Sequence, residues 1–381
     1  MKYGFVIPTY NNKYLLKNTL EALNYQNNYS ENDYEVIVVD DGSTDNTSCY
    51  IKNINKNYNL KYIYLERTKD SCRAKTRNQG WKSSEAEIII FIDSDIIVKE
   101  NYLEELDRCF SINKDILVIG NRLMLGESYT TDDIINKKIF KNNVFDSENF
   151  NLLEFRHFLY EILSYNPNVN LYNWMQVYSC NMAILKKHLE KIGGFDENFK
   201  FWGLEDVELG YSLIKNGVQL IINSKLEVLH QYHGSRNDLA ITEEKISGYK
   251  KNIDYFLAKH PNALTNVNKR LIYKFFTGDL PVDTMLLSLL NMGYEIVKIN
   301  FIDHSQLMDI KSNILNIDSK KKIKVVINDY IEDTDLDLWI QLLGKTKYEI
   351  KYYPMSKRID NKSLSKFLKM ERAKKKYNEF N

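Results

Sequence analysis

Residues 87–95 read EIIIFIDSD, an apolar run that stops on two aspartates, and this stretch decides the fold. A short run of β-branched and aromatic residues bounded by polar ones fits a strand buried on both faces, as at the centre of a parallel sheet. Upstream, Tyr34–Val39 (YEVIVV) is a second such run and ends in Asp40-Asp41-Gly42-Ser43-Thr44. Lys2–Pro8 is a third, followed over Asn12–Tyr25 by Leu15, Leu16, Leu20 and Leu23 at helical spacing. A Ser-Thr-Asp cap predicts a helix over Thr47–Ile54, and Lys61–Leu65 reads as a further strand. Strands alternating with helices imply a doubly wound, mostly parallel, Rossmann-like α/β sheet.

In such sheets ligands sit beyond the carboxyl ends of the strands. Asp93 and Asp95 project there from the end of the 88–92 run. Two residues apart on a strand they share a face, about 6.6 Å apart along the chain, and a turn can pinch both onto one ion. Carboxylate oxygens favour Mg²⁺ or Mn²⁺, and open coordination positions suit a diphosphate. Alone, an Asp-x-Asp triplet is also what a polar strand-to-turn junction looks like. Pro8-Thr9-Tyr10-Asn11 and Asp40-Asp41-Gly42 form further edges of the same crevice, where a tyrosine ring can stack on a base and a carboxylate can accept the imide N–H of uracil. Arg73, Lys75 and Arg77 lie just before the acid strand and read either as phosphate holders or as a solvated helix face.

The 381 residues are 44% hydrophobic and 27% charged, which excludes disorder as the main state. No run approaches the roughly 20 apolar residues of a membrane-spanning helix, no secretory signal is evident, and a cytoplasmic protein is the expectation. Cys49, Cys72, Cys109 and Cys180 show no disulfide or metal-ligand spacing. Lys and Arg number 52 against 51 Asp and Glu, a balance that argues against a nucleic-acid partner. Residues 356–381 are nevertheless locally basic, nine Lys or Arg against three acids, and a helix over Leu364–Lys376 could touch an anionic membrane surface carrying a lipid-linked acceptor or be a solvated tail. The middle, about 116–260, is irregular and aromatic, with Trp174 and Trp202. After Pro261 the pattern predicts a small α/β domain: a helix near Val282–Asn291, strands at Tyr294–Ile299, Ile323–Ile327 and Tyr348–Tyr353, and a helix near Leu336–Leu343.

The ordered motifs IPTYN, VVDDGSTD, RNQG and FIDSD within the first 95 residues resemble the nucleotide-sugar half of family 2 glycosyltransferases with the GT-A fold. That resemblance implies that Pro8, Thr9, Tyr10 and Asp41 hold the nucleotide, that Arg73 or Arg77 contacts it, that Asp93 faces the ribose beside Ser94, and that Asp95 is the stronger metal ligand. Ser179–Ile184, then Gly193–Phe199 (GGFDENF) and Phe201–Leu209 (FWGLEDVEL), look like the acceptor-side signature of galactosyltransferases and chondroitin-polymerase domains. It implies that Asp206 is the general base of an inverting transfer, with Glu205 beside it, and that Trp202, Gly203 and Glu205 face the acceptor. A histidine completes the metal site in the resembling families. Similarity points to His233, position at a strand end to His230.

The resemblance implies a GT-A domain over 1–260, divided at 115/116 into nucleotide-sugar and acceptor halves; it covers nothing after Pro261, where the residue pattern alone predicts a small appended α/β domain over 261–355 and a basic tail over 356–381. The expected activity is Mn²⁺- or Mg²⁺-dependent inverting transfer from a UDP-sugar to a hydroxyl of a glycan, lipid-linked or other conjugate. The alternatives are transfer to a peptide side chain and a non-catalytic nucleotide-sugar binder.

Overall fold

The computed structural model describes residues 1–143, 154, 156, 157, 160, 165–167, 173–234, 243–263, 295–317, 323–343 and 349–355. The helix expected near Val282–Asn291 and the basic tail lie outside these residues. The first strands form within two residues of expectation: β1 (Tyr3–Thr9), β2 (Tyr34–Asp40), β3 (Asn59–Tyr64) and β4 (Ile88–Ile92), all parallel, in the order β3-β2-β1-β4. β2 and β4 are buried along their whole length, whereas β3, at the sheet edge, is only partly covered. That is why β2 and β4 read as continuous apolar runs and β3 does not.

Helices α1 (Lys13–Ala22), α2 (Thr47–Asn53) and α3 (Arg73–Ser83) make the crossovers. Gly80 in α3 faces β1 so closely that a Cβ there would lie 2.3 Å from a Val6 methyl, and this approach explains the glycine of RNQG. The sheet continues through β5 (Ile96–Val98), β6 (Ile116–Met124), β7 (Asn181–Leu185) and β8 (Gln219–His230), with α4 (Tyr102–Ile112) packed behind it. The full order is β3-β2-β1-β4-β7-β6-β8-β5. β7 runs antiparallel to both β4 and β6, β8 is parallel to β6, and β5 is antiparallel to β8. The doubly wound, parallel-dominated α/β sheet is thus present, with its antiparallel members confined to the second half.

After β6 come α5 (Thr131–Ile135) and α6 (Lys138–Asn142), then α7 (Lys186–Ile192), α8 (Glu205–Lys215) and α9 (Glu243–Lys259). The aromatic middle is only partly a surface. Trp174 is buried against Tyr211 and Phe256, at 5.3 Å from each ring, while Trp202 stays 46% exposed.

The C-terminal region holds a second sheet, β9 (Glu295–Phe301), β10 (Ile323–Asp329) and β11 (Glu349–Pro354), all parallel in the order β11-β10-β9. Its helices are α10 (Leu307–Leu315) and α11 (Thr334–Leu342). The sequence pattern shows no α10, because only Ile310 and Ile314 are buried in it and Met308 and Leu315 point to solvent. Helix α11 joins the two sheets. Leu336 and Ile340 pack with Val325, Ile327 and Tyr352 of the small sheet, and Leu338 joins the cluster of Leu103 and Leu106 in α4. Gln341 donates to the carbonyl of Ile222 at 2.8 Å and accepts from its N–H at 2.7 Å, so one side chain supplies both bonds that a neighbouring strand would give β8 there. No helix among the described residues is long and apolar enough to cross a membrane.

Candidate active site

The expected donor-side residues gather beyond the ends of β1, β2 and β4. Thr9 ends β1, and its carbonyl accepts from the Asp41 N–H at 2.9 Å, which ties the first two strand ends together. Pro8 lies within the paired part of β1, opposite Val39. Tyr10 is 45% exposed, and the Arg67 guanidinium lies over its ring at 3.8 Å while also pairing with the Asp41 carboxylate. Arg67 was not among the expected residues. Its signal in the sequence was its place just past the end of β3, on the rim of the same crevice. The turn that brings it there needs Gly42, whose φ is +84° and whose Cβ would meet the Arg67 Cβ at 2.7 Å.

The FIDSD turn separates its two aspartates. Asp93 accepts from Arg77 Nη2 at 2.9 Å. Asp95 faces the end of β8, where its Oδ2 lies 3.0 Å from His233 Nε2 and 3.7 Å from His230 Nε2. The two imidazoles stack with centroids 5.0 Å apart, so both histidines, rather than one of them, approach the aspartate. One ligand atom from each of Asp95, His230 and His233 falls within 4.8 Å of the others. Asp95 Oδ1 is buried without a hydrogen-bond partner, which is the condition of an atom awaiting a ligand. His230 Nδ1 lies 3.1 Å from the Gln231 carbonyl, which places the proton on Nδ1 and leaves Nε2 as a lone pair toward Asp95. Burial pushes the His230 pKa down, keeping it neutral as a metal ligand must be. For Asp95, burial alone raises the pKa, but the His233 hydrogen bond and the surrounding positive field, Arg122 within it, outweigh it and hold the carboxyl below its usual range. Gln231 donates its N–H to the Asp95 carbonyl at 2.9 Å, fixing the β8 end to the turn. Ser94 is turned the other way, its hydroxyl accepting from Asn12 at 2.9 Å.

On the acceptor side, α8 starts from two successive left-handed residues, Gly203 (φ +88°) and Leu204 (φ +74°). A Cβ at Gly203 would sit 2.7 Å from the Tyr249 ring of α9, so a side chain there is excluded both by φ and by space. Asn252 of α9 donates to the Gly203 carbonyl at 2.6 Å and the Phe201 carbonyl at 3.1 Å, holding the loop that presents Trp202. Glu205, Asp206 and Glu208 occupy the first turn of α8, where acids suit the helix dipole. Asp206 accepts from the N–H of Val207 at 2.9 Å and of Ser179 at 3.3 Å. Burial and the adjacent Glu205 charge push its pKa up to about 7, against the opposing pull of Arg77 and the two N–H groups.

Arg77 joins the two sides. The reading of Arg73, Lys75 and Arg77 as a solvated basic face fails for Arg77, which is 3% exposed, because Asp93 and Glu205 both converge on it. Its Nη1 donates to Glu205 at 3.0 Å and its Nη2 to Asp93 at 2.9 Å. Arg73, one turn earlier at the start of the helix, is exposed. Asn78 makes a second joint: it accepts from the Phe195 N–H at 2.9 Å and donates to the Phe195 carbonyl and Glu197, so RNQG clamps the GGFDEN loop. Breaking a buried charge pair such as Arg77 with Glu205 costs about 3–5 kcal/mol.

Residues 5–193 match the family model described as glycosyl transferase family 2, and residues 161–234 one described as the N-terminal domain of galactosyltransferase. Validoxylamine A glucosyltransferase of Streptomyces hygroscopicus subsp. limoneus is 26% identical over 272 residues, covering 68% of this chain and 57% of that protein. The chain therefore spans a little over half of that relative's length. Chondroitin synthase of Pasteurella multocida (strain Pm70) is 30% identical over 56% of this chain and 23% of its own length. The crystal structure of Staphylococcus aureus TarS 1–349 aligns at a TM-score of 0.49 and 20% identity, over 72% of this chain and 70% of that one. Residues 5–193 are thus similar to family 2 glycosyltransferases and residues 161–234 to a galactosyltransferase domain, on the doubly wound α/β sheet described above.

Proposed function

We propose that this chain, matched over residues 5–193 by glycosyl transferase family 2, is a divalent-metal-dependent inverting glycosyltransferase that moves a hexosyl or N-acetylhexosaminyl group from a UDP-sugar to a hydroxyl of a glycan or glycoconjugate. The observation that carries the reading is the convergence of two half-sites on Arg77: Asp93 of the donor-side turn on one nitrogen and Glu205, next to Asp206, on the other. Tyr10 and Asp41 are assigned to the nucleotide base, Trp202 and Gly203 to the acceptor, and Asp95 with both histidines to the metal. Imidazole ligands favour Mn²⁺ over Mg²⁺ at such a site. A cation held there supplies positive charge to the departing diphosphate.

In this reading Asp206 takes the proton of the acceptor hydroxyl as that oxygen forms its bond to the anomeric carbon. The bond from that carbon to the diphosphate oxygen breaks on the opposite face, and its electron pair leaves with UDP. A carboxyl with a pKa near 7 is matched to that task, since it is ionised at the working pH and still basic. Arg77 keeps Glu205 in place beside Asp206 and compensates both charges.

The test is a calorimetric titration of UDP-sugars with Mn²⁺ and with chelator, followed by a transfer assay across pH. Binding that requires Mn²⁺, and a kcat/KM that rises with pH through about 7, are expected. UDP-sugar affinity unaffected by chelator refutes the metal assignment, and a flat acid limb removes Asp206 as the base.

A further inference from the structure

Two arginines between the half-sites have no role in the reaction above. Arg122 of β6 donates through Nε to Glu154 at 2.8 Å, and Arg156 is paired with the same carboxylate. Both also reach the Cys180 sulfur, Arg122 Nη1 at 3.5 Å and Arg156 Nη2 at 3.9 Å, and the Arg156 guanidinium lies 4.5 Å from the Tyr178 ring centroid. Residues 178 and 180 flank Ser179, whose N–H is on Asp206, so the segment that the two arginines touch is the one that holds the assigned base. Toward the other side, Arg122 shares its strand pairing with β8 two residues from His230, and its charge is felt by Asp95 and His230.

Burial pushes Glu154 up but the two arginines hold it down at about 2, so it is a full anion. Burial raises the Cys180 thiol and lowers His157 to about 4, so both are neutral at pH 7. Among the described residues, Arg122 and Arg156 both pair with the Glu154 carboxylate. Arg156 is fully buried, whereas the Arg122 side chain keeps 20% of its surface. A guanidinium that shares its carboxylate with a second arginine keeps N–H donors for an incoming anion.

Resting on the transferase reading above, we infer that Arg122, backed by Arg156 and Glu154, is a subsite for an anionic substituent of the acceptor, a carboxylate or a phosphate carried near the hydroxyl that is glycosylated. Arg122 is the contact residue because it is the accessible member. Arg156 and Glu154 position it. The planar fork of arginine suits either oxyanion.

The experiment uses the full chain with saturating Mn²⁺ and UDP, so that the diphosphate site is already filled, and measures by calorimetry the binding of two matched pairs of probes. These are methyl β-glucuronide against methyl β-glucoside, and glycerol 3-phosphate against glycerol. At least one charged probe is expected to bind about tenfold or more tightly than its neutral twin, and which one does so distinguishes carboxylate from phosphate. Arg122→Gln should erase that ratio, Arg122→Lys should keep part of it, and Glu154→Gln should increase it by freeing positive charge, a gain that a merely structural role does not give. Equal binding of charged and neutral twins, a ratio untouched by Arg122→Gln, or displacement of the charged probe by UDP overturns the inference. Lack of Mn²⁺-dependent UDP binding counts instead against the transferase reading, and the probes are then titrated without UDP.

Discussion

The large mixed sheet and the small parallel sheet of this molecule each have a central apolar strand that ends on acids, IIIFIDSD in β4 and IKVVINDYIED in β10, and the acids have opposite fates. At the end of β10 Asp329 is fully buried and fully used. Its Oδ1 accepts from the N–H groups of Ile331 and Glu332 at 2.9 and 2.6 Å, and its Oδ2 from the Asp333 N–H at 2.9 Å and the Tyr352 hydroxyl at 2.6 Å. At the end of β4 Asp95 keeps one buried oxygen without a partner and faces two imidazoles. An acid at a strand end is a turn staple when the local backbone saturates it, and has an oxygen left to offer a ligand when it does not. The number of donors pointed at its oxygens separates the two.

Four substitutions can break or sharpen that contrast. Asp206→Asn, which removes the proposed base while leaving the donor side alone, should lower kcat by about 10²–10⁴ with UDP-sugar affinity nearly unchanged. Retained turnover would move the base elsewhere. Asp329→Ala strands three N–H groups and a tyrosine hydroxyl in the small sheet, and is expected to cost about 3 kcal/mol or more in denaturant unfolding while Mn²⁺-dependent UDP affinity stays as it was. Its mirror, Asp95→Ala, should weaken that affinity by about 10–100-fold with little loss of stability. If both variants behave alike, the staple-versus-ligand distinction is wrong. Gln341→Ala, at the joint between the sheets, leaves the Ile222 N–H and carbonyl unpaired and should cost about 1–3 kcal/mol, without a change in affinity.

The smallest effect has a sign that sets the active site apart from the staple. Asp206 has its folded pKa raised from 3.8 to about 7, so its favourable contribution belongs to acid pH and is lost as pH rises through about 7. Asp206→Asn should therefore melt about 2–4 °C above the parent at pH 8, the gain growing between about pH 4 and pH 7, whereas Asp329→Ala is destabilising throughout. A melting temperature for Asp206→Asn that falls at pH 8 would show that Asp206 stabilises the fold.

The chain's own letters determined the first four strands, the crossover helices between them, the strands of the small C-terminal sheet and the placing of acids at strand ends. These follow from apolar run length, helical spacing and turn residues, which act over a few positions and are written where they act. Also legible in the sequence were the glycines of RNQG and WGLED, though their reasons were not: Val6 and Tyr249, which exclude a Cβ, lie far away in the chain. Tertiary structure alone decided that Arg77 is a buried bridge, since its partner Glu205 is 128 residues distant, and that both His230 and His233 approach Asp95. It alone placed Arg67 on Tyr10 and Arg122 with Arg156 around one carboxylate. The role of a charged side chain is set by which charges and donors reach it through a low-dielectric interior, and no local pattern reports that distance.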